Sequence, residues 1–576
     1  MRFRNTTNNF RLYAVTGTNT VAFAIDCDEA EMTDLLGFMV EKEYDKADGT
    51  HVRVTVMGFK VFKERIEDPV PGALYSTWDN PIQSFTWEDF TAYPGCDYTY
   101  HFTPLYDSPL NIRRGPAVSI VVKTELAWKE NDHSIFFNRG VAASQAYALK
   151  FGNVDPDQVP DGKAYKWLSR GLKEAILAFI GKAQPGDAVH TCFYEFRYDE
   201  VLTALKTAAG AGVSLHIIYD AKANGKGATA TKPAVKSFPR DDNEEAITNA
   251  GLDEEDHIEL IPRKMNKSYI CHNKFMVLVK NGVPKMVWTG STNISKGGIF
   301  GQSNVGHAVE DSGVAGKFLA YWNVLKDDPG GTVLKAANEQ IQATIASVNA
   351  LPLGMTCIFS PRKDLDMLRF YADLLDSATD CACITLAFGV HTYFEQALAD
   401  NDTRDQLTFL LLEKDDPDIS DYVYKHNIVK AVGSNISDDS IFKWVKETNT
   451  NLLNLNTHVM YVHTKFLLRD PLSEHPVVVT GSANFSEAAT DTNDENMIII
   501  HGNRRVADIY FTEFMRLFNH YYFRWVVRKM QEKGTLDPEN PAFLKSASAE
   551  WTGQYKQGKL KRKKVEVFVR MFVEEE

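Results

Sequence analysis

Two stretches of this chain repeat one sparse pattern, and the repetition restricts the fold to two similar lobes that face each other. The first stretch runs from His272 and Lys274 to Gly290-Ser291-Thr292-Asn293, the second from His463 and Lys465 to Gly481-Ser482-Ala483-Asn484. The copies lie 191 positions apart, and in both the Gly follows the His by 18 positions and the Asn by 21. The residues between these points differ. A duplicated binding module could keep such a turn, but it has no reason to keep paired His and Lys.

The surrounding text repeats as well. From about Ala127 helical periodicity alternates with buried strands, the mark of an α/β layer architecture. A helical pattern over Trp167–Ile180 precedes the strand Ala188–Phe193, a helix around Glu200–Ala209, the strand Val213–Tyr219 and the strand bearing His272. The last third follows the same order: helix Leu365–Leu375, strand Ile384–Phe388, helix Tyr393–Ala399, strand Leu407–Leu412, then the His463 strand. The expectation is an α/β fold of two pseudo-twofold-related α/β/α lobes, over residues 127–348 and 349–576, the second ending in a tail. The loop Ala221–Arg240, long and bearing both Gly and Pro, reads as mobile or as a cover for the site.

Residues 1–126 read differently. Alternation at Val52–Val56 and a β-branched run at Val118–Val122, broken by Pro- and Gly-bearing segments, predict a β-rich, sandwich-like domain. One helix is expected over Asp28–Lys42, with Asp28 and Glu31 as a capping box. The acidic cluster from Asp26 to Asp34 reads as that helix start with a solvated face; a calcium loop needs tighter spacing.

Composition narrows the partners. Of 576 residues 44% are hydrophobic and 24% charged, as in ordinary globular proteins. No apolar run approaches the roughly 18 residues that suggest a membrane span, and the basic N-terminus lacks the apolar stretch of a secretory signal. The default location is the cytoplasm, although export by a signal-free route leaves no mark. Seven cysteines without a Cys-x-x-Cys pair imply free thiols and a reducing compartment. A net charge of −13 disfavours nucleic acid, whose binding depends on neutralising phosphates.

The paired pattern suits phosphoryl chemistry. Residues two apart on a strand share a face, so each His points with its Lys, and the Asn after the Gly-Ser turn returns an amide beside the imidazole. Two such lobes place His opposite His around one phosphate. One imidazole attacks phosphorus while the other protonates the leaving oxygen, and Lys274, Lys465, Asn293 and Asn484 bind the non-bridging oxygens. Imidazole is suited to both roles near neutrality. No cofactor is implied, and no His, Cys or carboxylate cluster has metal-ligand spacing.

At these residues the chain resembles the phospholipase D superfamily, whose motif reads His-x-Lys, then Asp, then Gly-Ser-x-Asn. The second copy matches in full with His463, Lys465, Asp470, Gly481, Ser482 and Asn484, followed by Glu495. The first copy departs from it, with Val279 where Asp is expected and Asn304 at the place of Glu495. The resemblance covers about 450 residues and leaves out the first 125. It implies that the acidic residue after the Asn holds the histidine of its own motif, which assigns Glu495 to His463. That makes His463 the acid and His272 the nucleophile, with Glu310 or Asp311 as other carboxylates within reach of His272. Asp470, seven residues from His463, faces away and is expected to be structural.

Ser291 and Ser482 are expected at the substrate. The Gly-rich segment after Asn293 reads as a flexible rim whose Ile299 and Phe300 contact an acyl chain. His190, His216, His257, His307, His391, His458 and His475 share no such spacing and read as packing or surface. The aromatic helix Arg505–Lys529 reads as core. The tail run Lys559, Lys561, Arg562, Lys563 and Lys564 reads as a solvated basic patch, with docking on anionic lipid as its alternative.

The resemblance implies a metal-independent phospholipase D that works as a monomer at a glycerophospholipid surface. The phosphatidyl group passes to His272 and then to water, or to an alcohol in transphosphatidylation. A phosphatidyltransferase making phosphatidylserine or cardiolipin, and a nuclease, share such a site. The acidic charge counts against the nuclease and the lack of membrane spans against the synthase. With all six paired positions intact, a scaffold with a degenerate site is disfavoured.

Overall fold

The computed structural model describes residues 1–7, 9–70, 73–140, 147, 150–152, 154–227, 235–264, 269–399, 406–416, 419, 427–433, 462–532 and 543–572. Two seven-stranded sheets carry the lobes, and their strand orders are the same. In the first the order is His133–Phe137, Val305–Val309, Val283–Gly290, Lys274–Lys280, Ala188–Phe193, Ser214–Asp220 and Ile258–Arg263. In the second it is Gly354–Ser360, Glu495–His501, Val477–Gly481, Phe466–Arg469, Cys381–Leu386, Leu407–Leu412 and Ile428–Val432. The last three strands of each sheet run parallel, as helical crossovers require. The central strands are apolar on both faces; Cys381–Leu386 and Leu407–Leu412 are wholly buried, as strands under helical layers must be.

The lobes meet about a local twofold. Cys271 bridges Asp494 in parallel, and Val462, its counterpart 191 positions on, bridges Ser303, the counterpart of Asp494. The helix Arg504–Glu532 runs through the joint: Tyr510 packs edge-on against Phe137 of one sheet and Phe466 of the other, both at 5.3 Å between ring centroids. Its apolar residues from Val506 to Tyr521 are buried, which is why they fill every side and not one stripe. The helical pattern over Trp167–Ile180 is two helices, Lys163–Ser169 and Leu172–Ile180, because Arg170 and Gly171 take left-handed backbone between them. Part of the loop after Ala221, and His458, lie outside the described residues.

Residues before Ala127 form two sheets face to face and a short two-stranded pair, Met57–Gly58 with Tyr75–Ser76. One has the order Arg2–Thr7, Phe10–Thr16, Val21–Cys27, Thr86–Asp89; the other has Asn111–Arg114, Asp97–Ser108, Leu35–Asp45, His51–Thr55, with Val118–Lys123 also pairing Asp97–Ser108. Phe23 of the first sheet meets Tyr100 and Phe102 of the second at 4.7 and 5.3 Å. The helix expected over Asp28–Lys42 is absent. A 3-10 turn spans Glu29–Met32, Asp28 makes no side-chain cap, and Leu35–Asp45 is a long strand. Cross-strand packing of Leu35, Phe38 and Val40 in the sandwich core outweighs the local capping signal.

The basic tail is a solvated patch only in part: Lys559 and Lys561 are exposed, while Arg562, Lys563 and Lys564 are half-buried. Leu560–Arg570 is a helix that buries Val565, Val567 and Phe568. Arg562 pairs with Asp26 at 2.5 Å, and the Lys564 ammonium lies over Phe409, Phe518 and Tyr522 at 5.2 to 5.9 Å. Just upstream, Trp551 stacks on Phe85 and donates its indole N–H to the Leu35 carbonyl at 3.0 Å. This segment therefore packs over the N-terminal sandwich, held there by Trp551 and Arg562, while Lys564 ties it to the second lobe.

Candidate active site

His272 and His463 each sit just ahead of a strand, Lys274–Lys280 and Phe466–Arg469, at the seam between lobes. Both imidazoles are buried, at 7% and 6% exposure, with ring centroids 6.5 Å apart. Each Lys folds back on its own motif: Lys274 Nζ donates to the His272 carbonyl at 2.5 Å and Lys465 Nζ to the His463 carbonyl at 2.6 Å. The four side chains of the two His-x-Lys pairs thus converge from the two lobes.

The partner of His272 is Glu495. Its Oε1 lies 2.8 Å from His272 Nδ1, while its Oε2 accepts from the Ser482 hydroxyl at 2.7 Å. This corrects the assignment of Glu495 to His463: the acidic residue serves the histidine of the other lobe. Glu310 accepts from the Asn131 N–H and Asp311 caps the helix Ser312–Leu325, so neither supplies His272. His463 Nδ1 lies 2.8 Å from Asn304 Oδ1. Asn304 Nδ2 donates to the Gly298 carbonyl at 2.7 Å, which turns Oδ1 toward His463 and places the hydrogen on Nδ1. Both Nδ1 atoms are therefore engaged from across the seam, leaving both Nε2 atoms for chemistry.

Ser291 and Ser482, expected at the substrate, border the histidines through their backbone and turn their hydroxyls elsewhere. Both are fully buried. The Ser291 hydroxyl donates to Asn304 Oδ1 at 2.8 Å and that of Ser482 to Glu495, so each fixes the group that fixes a histidine. The glycines before them serve a close approach more than a turn. A Cβ at Gly290 would collide with the Val305 carbonyl oxygen, and one at Gly481 with that of Asn496. Ile299 and Phe300 are likewise displaced from their expected place. They lie in a π-helical turn, Gly297–Gly301, fully buried in the core of the first lobe, where Phe300 meets Tyr165 at 4.7 Å. A segment that must pass a carbonyl to Asn304 is held rigidly, so it packs inward and forms no rim.

Asn293 and Asn484 reach the same region with different support. Asn293 Nδ2 donates to Glu195 Oε1 at 2.8 Å, whereas no bond of that kind is formed by Asn484 among the described residues. The Oδ1 atoms of both are buried without a partner. Asp470 points away from the site, and its carboxylate accepts the backbone N–H groups of Thr379, Asp380 and Cys381 at 2.8 to 3.1 Å.

Besides Glu195, two further carboxylates escaped the sequence reading. Asp220 accepts the N–H of Cys271 at 2.8 Å, and Glu413 accepts that of Val462 at 2.8 Å, so each pins the residue before a histidine. Upstream of the motifs the lobes align at 193 positions, as in Asp220 with Glu413, and a search at 191 passes over them. Tyr194 was missed as well. Its ring meets His272 edge-on at 5.1 Å and lies 5.3 Å from the Lys274 ammonium.

Electrostatics follow from burial. Burial, with Lys274 and Lys465 nearby, holds both imidazoles well below their ordinary pKa. Burial also brings Lys274 down to about 8, against the pull of Glu495 and Glu195, and it pushes Glu495 up to about 8 against Lys274 and the Ser482 hydroxyl. Burial, with Lys274 nearby, likewise holds Lys465 well below its ordinary pKa, so two desolvated lysines face one another across neutral imidazoles, and an anion between them would restore their charge. Among the described residues no group of three His, Cys, Asp or Glu side chains is placed to hold a metal ion. No helix among them is long and apolar enough to cross a membrane.

The PLD-like domain described for cardiolipin synthase matches residues 176–325 and again 371–518. Each match lies in one lobe and spans its motif. No curated protein sequence matches the chain. Among solved structures, the chain is similar to polyphosphate kinase from Porphyromonas gingivalis (10% identity, 58% of this chain, TM-score 0.35). It spans only 43% of that protein's length. It is also similar to phosphatidylserine synthase from Haemophilus influenzae Rd KW20 (10% identity, 64% of this chain and 92% of that one, TM-score 0.40). Nuc from Salmonella typhimurium, a phospholipase D family member, is a third (22% identity, 27% and 87%, TM-score 0.21). The two family matches together cover more than half of the chain, and the opposed His-x-Lys pairs lie within them: the chain belongs to the phospholipase D superfamily, whose enzymes act on phosphodiester bonds.

Proposed function

We propose that this chain is a phospholipase D that hydrolyses the distal phosphodiester of glycerophospholipids through a phosphohistidine on His272. The observation that carries the assignment of roles is the difference between the two Nδ1 partners. Glu495 accepts the hydrogen on His272 Nδ1 and, once ionised above about pH 8, raises the basicity of Nε2, which suits a nucleophile. The neutral amide of Asn304 orients His463 without stabilising its cation, so protonated His463 is a strong acid.

Nε2 of His272 forms a bond to phosphorus as the bond from phosphorus to the head-group oxygen breaks, and His463 gives that oxygen its proton. Water then attacks phosphorus and yields a proton to His463, and the P–N bond returns its electron pair to His272. Lys274, Lys465 and the amides of Asn293 and Asn484 take up the charge on the non-bridging oxygens. An alcohol in place of water gives transphosphatidylation. The family's description by cardiolipin synthase favours a phosphatidyl transfer as the second reading, and the acidic net charge of −13 weighs against a nuclease.

The test is a trapped intermediate. Phosphatidylcholine, rapidly quenched with the wild-type chain, is expected to leave a phosphatidyl group on a peptide containing His272. A nitrophenyl phosphodiester needs little help from an acid, so it should give a burst followed by slow turnover in His463→Ala and no burst in His272→Ala. Label on His463 in the His272→Ala chain would reverse the roles.

A further inference from the structure

Behind the two imidazoles the halves of the site are braced differently. Asn304 is held by its own amide, whose Nδ2 donates to Gly298 while Oδ1 faces His463. Glu495 has no such second arm, since its two oxygens are already spent on His272 and Ser482. Its anchor is the residue before it. Asp494 is fully buried; its Oδ2 accepts from Arg263 Nε at 2.9 Å and its Oδ1 from Nη2 at 3.4 Å. Arg263 belongs to the first lobe, at the end of the strand Ile258–Arg263, and is 3% exposed. Its Nη1 donates to Asp328 Oδ1 at 2.6 Å and to the Pro329 carbonyl at 2.7 Å, so the guanidinium is itself held in place. The Asp494 N–H meets the Ile270 carbonyl at 3.0 Å, so the segment carrying Glu495 lies against the one carrying His272. Neighbouring side chains of an extended segment point to opposite sides. A grip on Asp494 therefore sets the rotation that aims Glu495 at His272.

This brace has no mirror image. The offset of 191 positions matches Asp494 with Ser303. Strand register matches Arg263 with Gly433: Asp220 pairs with Arg263, and the pairing of Leu407–Leu412 with Ile428–Val432 carries Glu413 to Gly433. Serine and glycine form no ion pair. A buried ion pair repays little of its desolvation, and burial does raise the Asp494 carboxyl against the pull of Arg263. Stability is thus a poor reason for such a pair on one side of the seam only, and alignment of His272 is a better one.

We propose that Arg263 is a positioning residue for His272, gripping Asp494 across the seam so that Glu495 stays on Nδ1. The brace belongs to His272 in either chemical role; that it serves the attack on phosphorus rests on the reading of His272 as nucleophile.

The experiment uses the full chain carrying His463→Ala and a nitrophenyl phosphodiester, whose burst needs His272 alone. Neutralising one partner would strand the other charge, so Arg263→Gln and Asp494→Asn are combined. Asp328 keeps access to water, its side chain being 23% exposed. Burst amplitude counts competent sites, and the burst rate constant reports alignment. The combined variant is expected to lower the rate constant by about tenfold or more with the amplitude retained. A lower amplitude at an unchanged rate constant would assign the pair to folding alone and overturn the brace, as would no change in either. Arg263→Lys keeps the charge and loses the fork, and should lower the rate constant by about threefold or more; it decides by the same two readings if the combined variant does not fold. No burst in the His463→Ala parent would overturn the nucleophile assignment and not the brace. His272 would then be the acid, and with both histidines present the combined variant should slow phosphatidylcholine about tenfold more than the nitrophenyl ester, which needs little protonation. Equal slowing of the two would overturn the brace in that role as well.

Discussion

The two histidines perform mirror-image steps, yet one is tied to a carboxylate and the other to an amide, and that difference is open to measurement. His463 faces Lys465 and Lys274, with the Ser291 backbone as its one further raising contact, and burial already holds it low. As the acid it must be protonated, so activity falls as pH rises through its pKa. Asn304→Asp adds a negative charge at 2.8 Å, which raises that pKa, and the falling limb of the kcat/KM profile should move to a pH about 1–3 higher. A limb that stays in place, with activity retained, would show that His463 is not the acid. The His, Lys and Asn positions were legible in the sequence because chemistry fixes their spacing within one short segment. The partner of His272 was not, because that bond joins residues of different lobes, and spacing along the chain carries no trace of it. The serines were misread for the same reason: what they hold becomes visible only when the neighbouring strand is in place.

Among the elements, the helix Arg504–Glu532 bears the joint between lobes and sandwich. Its Glu513 accepts from Thr20 of the sandwich at 2.7 Å, from Arg170 of the first lobe at 2.8 Å and from Arg516 of its own helix at 2.8 Å. Burial alone would raise this carboxyl; Arg170 and Arg516 outweigh it and hold it at about 2. A depressed carboxyl stabilises the fold above its unfolded pKa of about 4.3 and loses that contribution as pH falls toward 2. Glu513→Gln should therefore cost about 3–5 kcal/mol in denaturant unfolding at neutral pH, since it strands two buried guanidinium groups. It should also flatten the loss of stability between pH 4.5 and 2. Repeated strands and helices were legible from periodicity. Asp28–Lys42 was not, because a capping pattern is a local preference and the sandwich supplies Phe38 and Val40 with partners distant in sequence. The Gly297–Gly301 turn misled through its glycines, which serve a close approach: a Cβ at Gly298 would strike the Asn293 backbone oxygen.

On the scale of the whole molecule, the site exists only where the lobes meet, and the contacts that complete it cross the seam in both directions. Glu495 of the second lobe holds His272 of the first, and Asn304 of the first holds His463 of the second. The parallel bridges Cys271 to Asp494 and Ser303 to Val462 repeat the exchange in the backbone. Behind them, Asn496 bonds both Asn273, at 2.7 Å, and Thr289. Because one chain supplies both halves, the linkage makes their association intramolecular, and activity is expected without a second chain at any concentration. His272→Ala and His463→Ala chains, each inactive on phosphatidylcholine, should therefore stay inactive when mixed, even after joint unfolding and refolding. Recovery to a quarter of the wild-type rate, the yield of random exchange of halves between chains, would show that lobes from different molecules pair. The buried interlobe bonds would then have to be reassigned as contacts between subunits. Failure to recover at any mixing ratio, with both variants sedimenting as the wild-type chain does, fixes one complete site to each polypeptide.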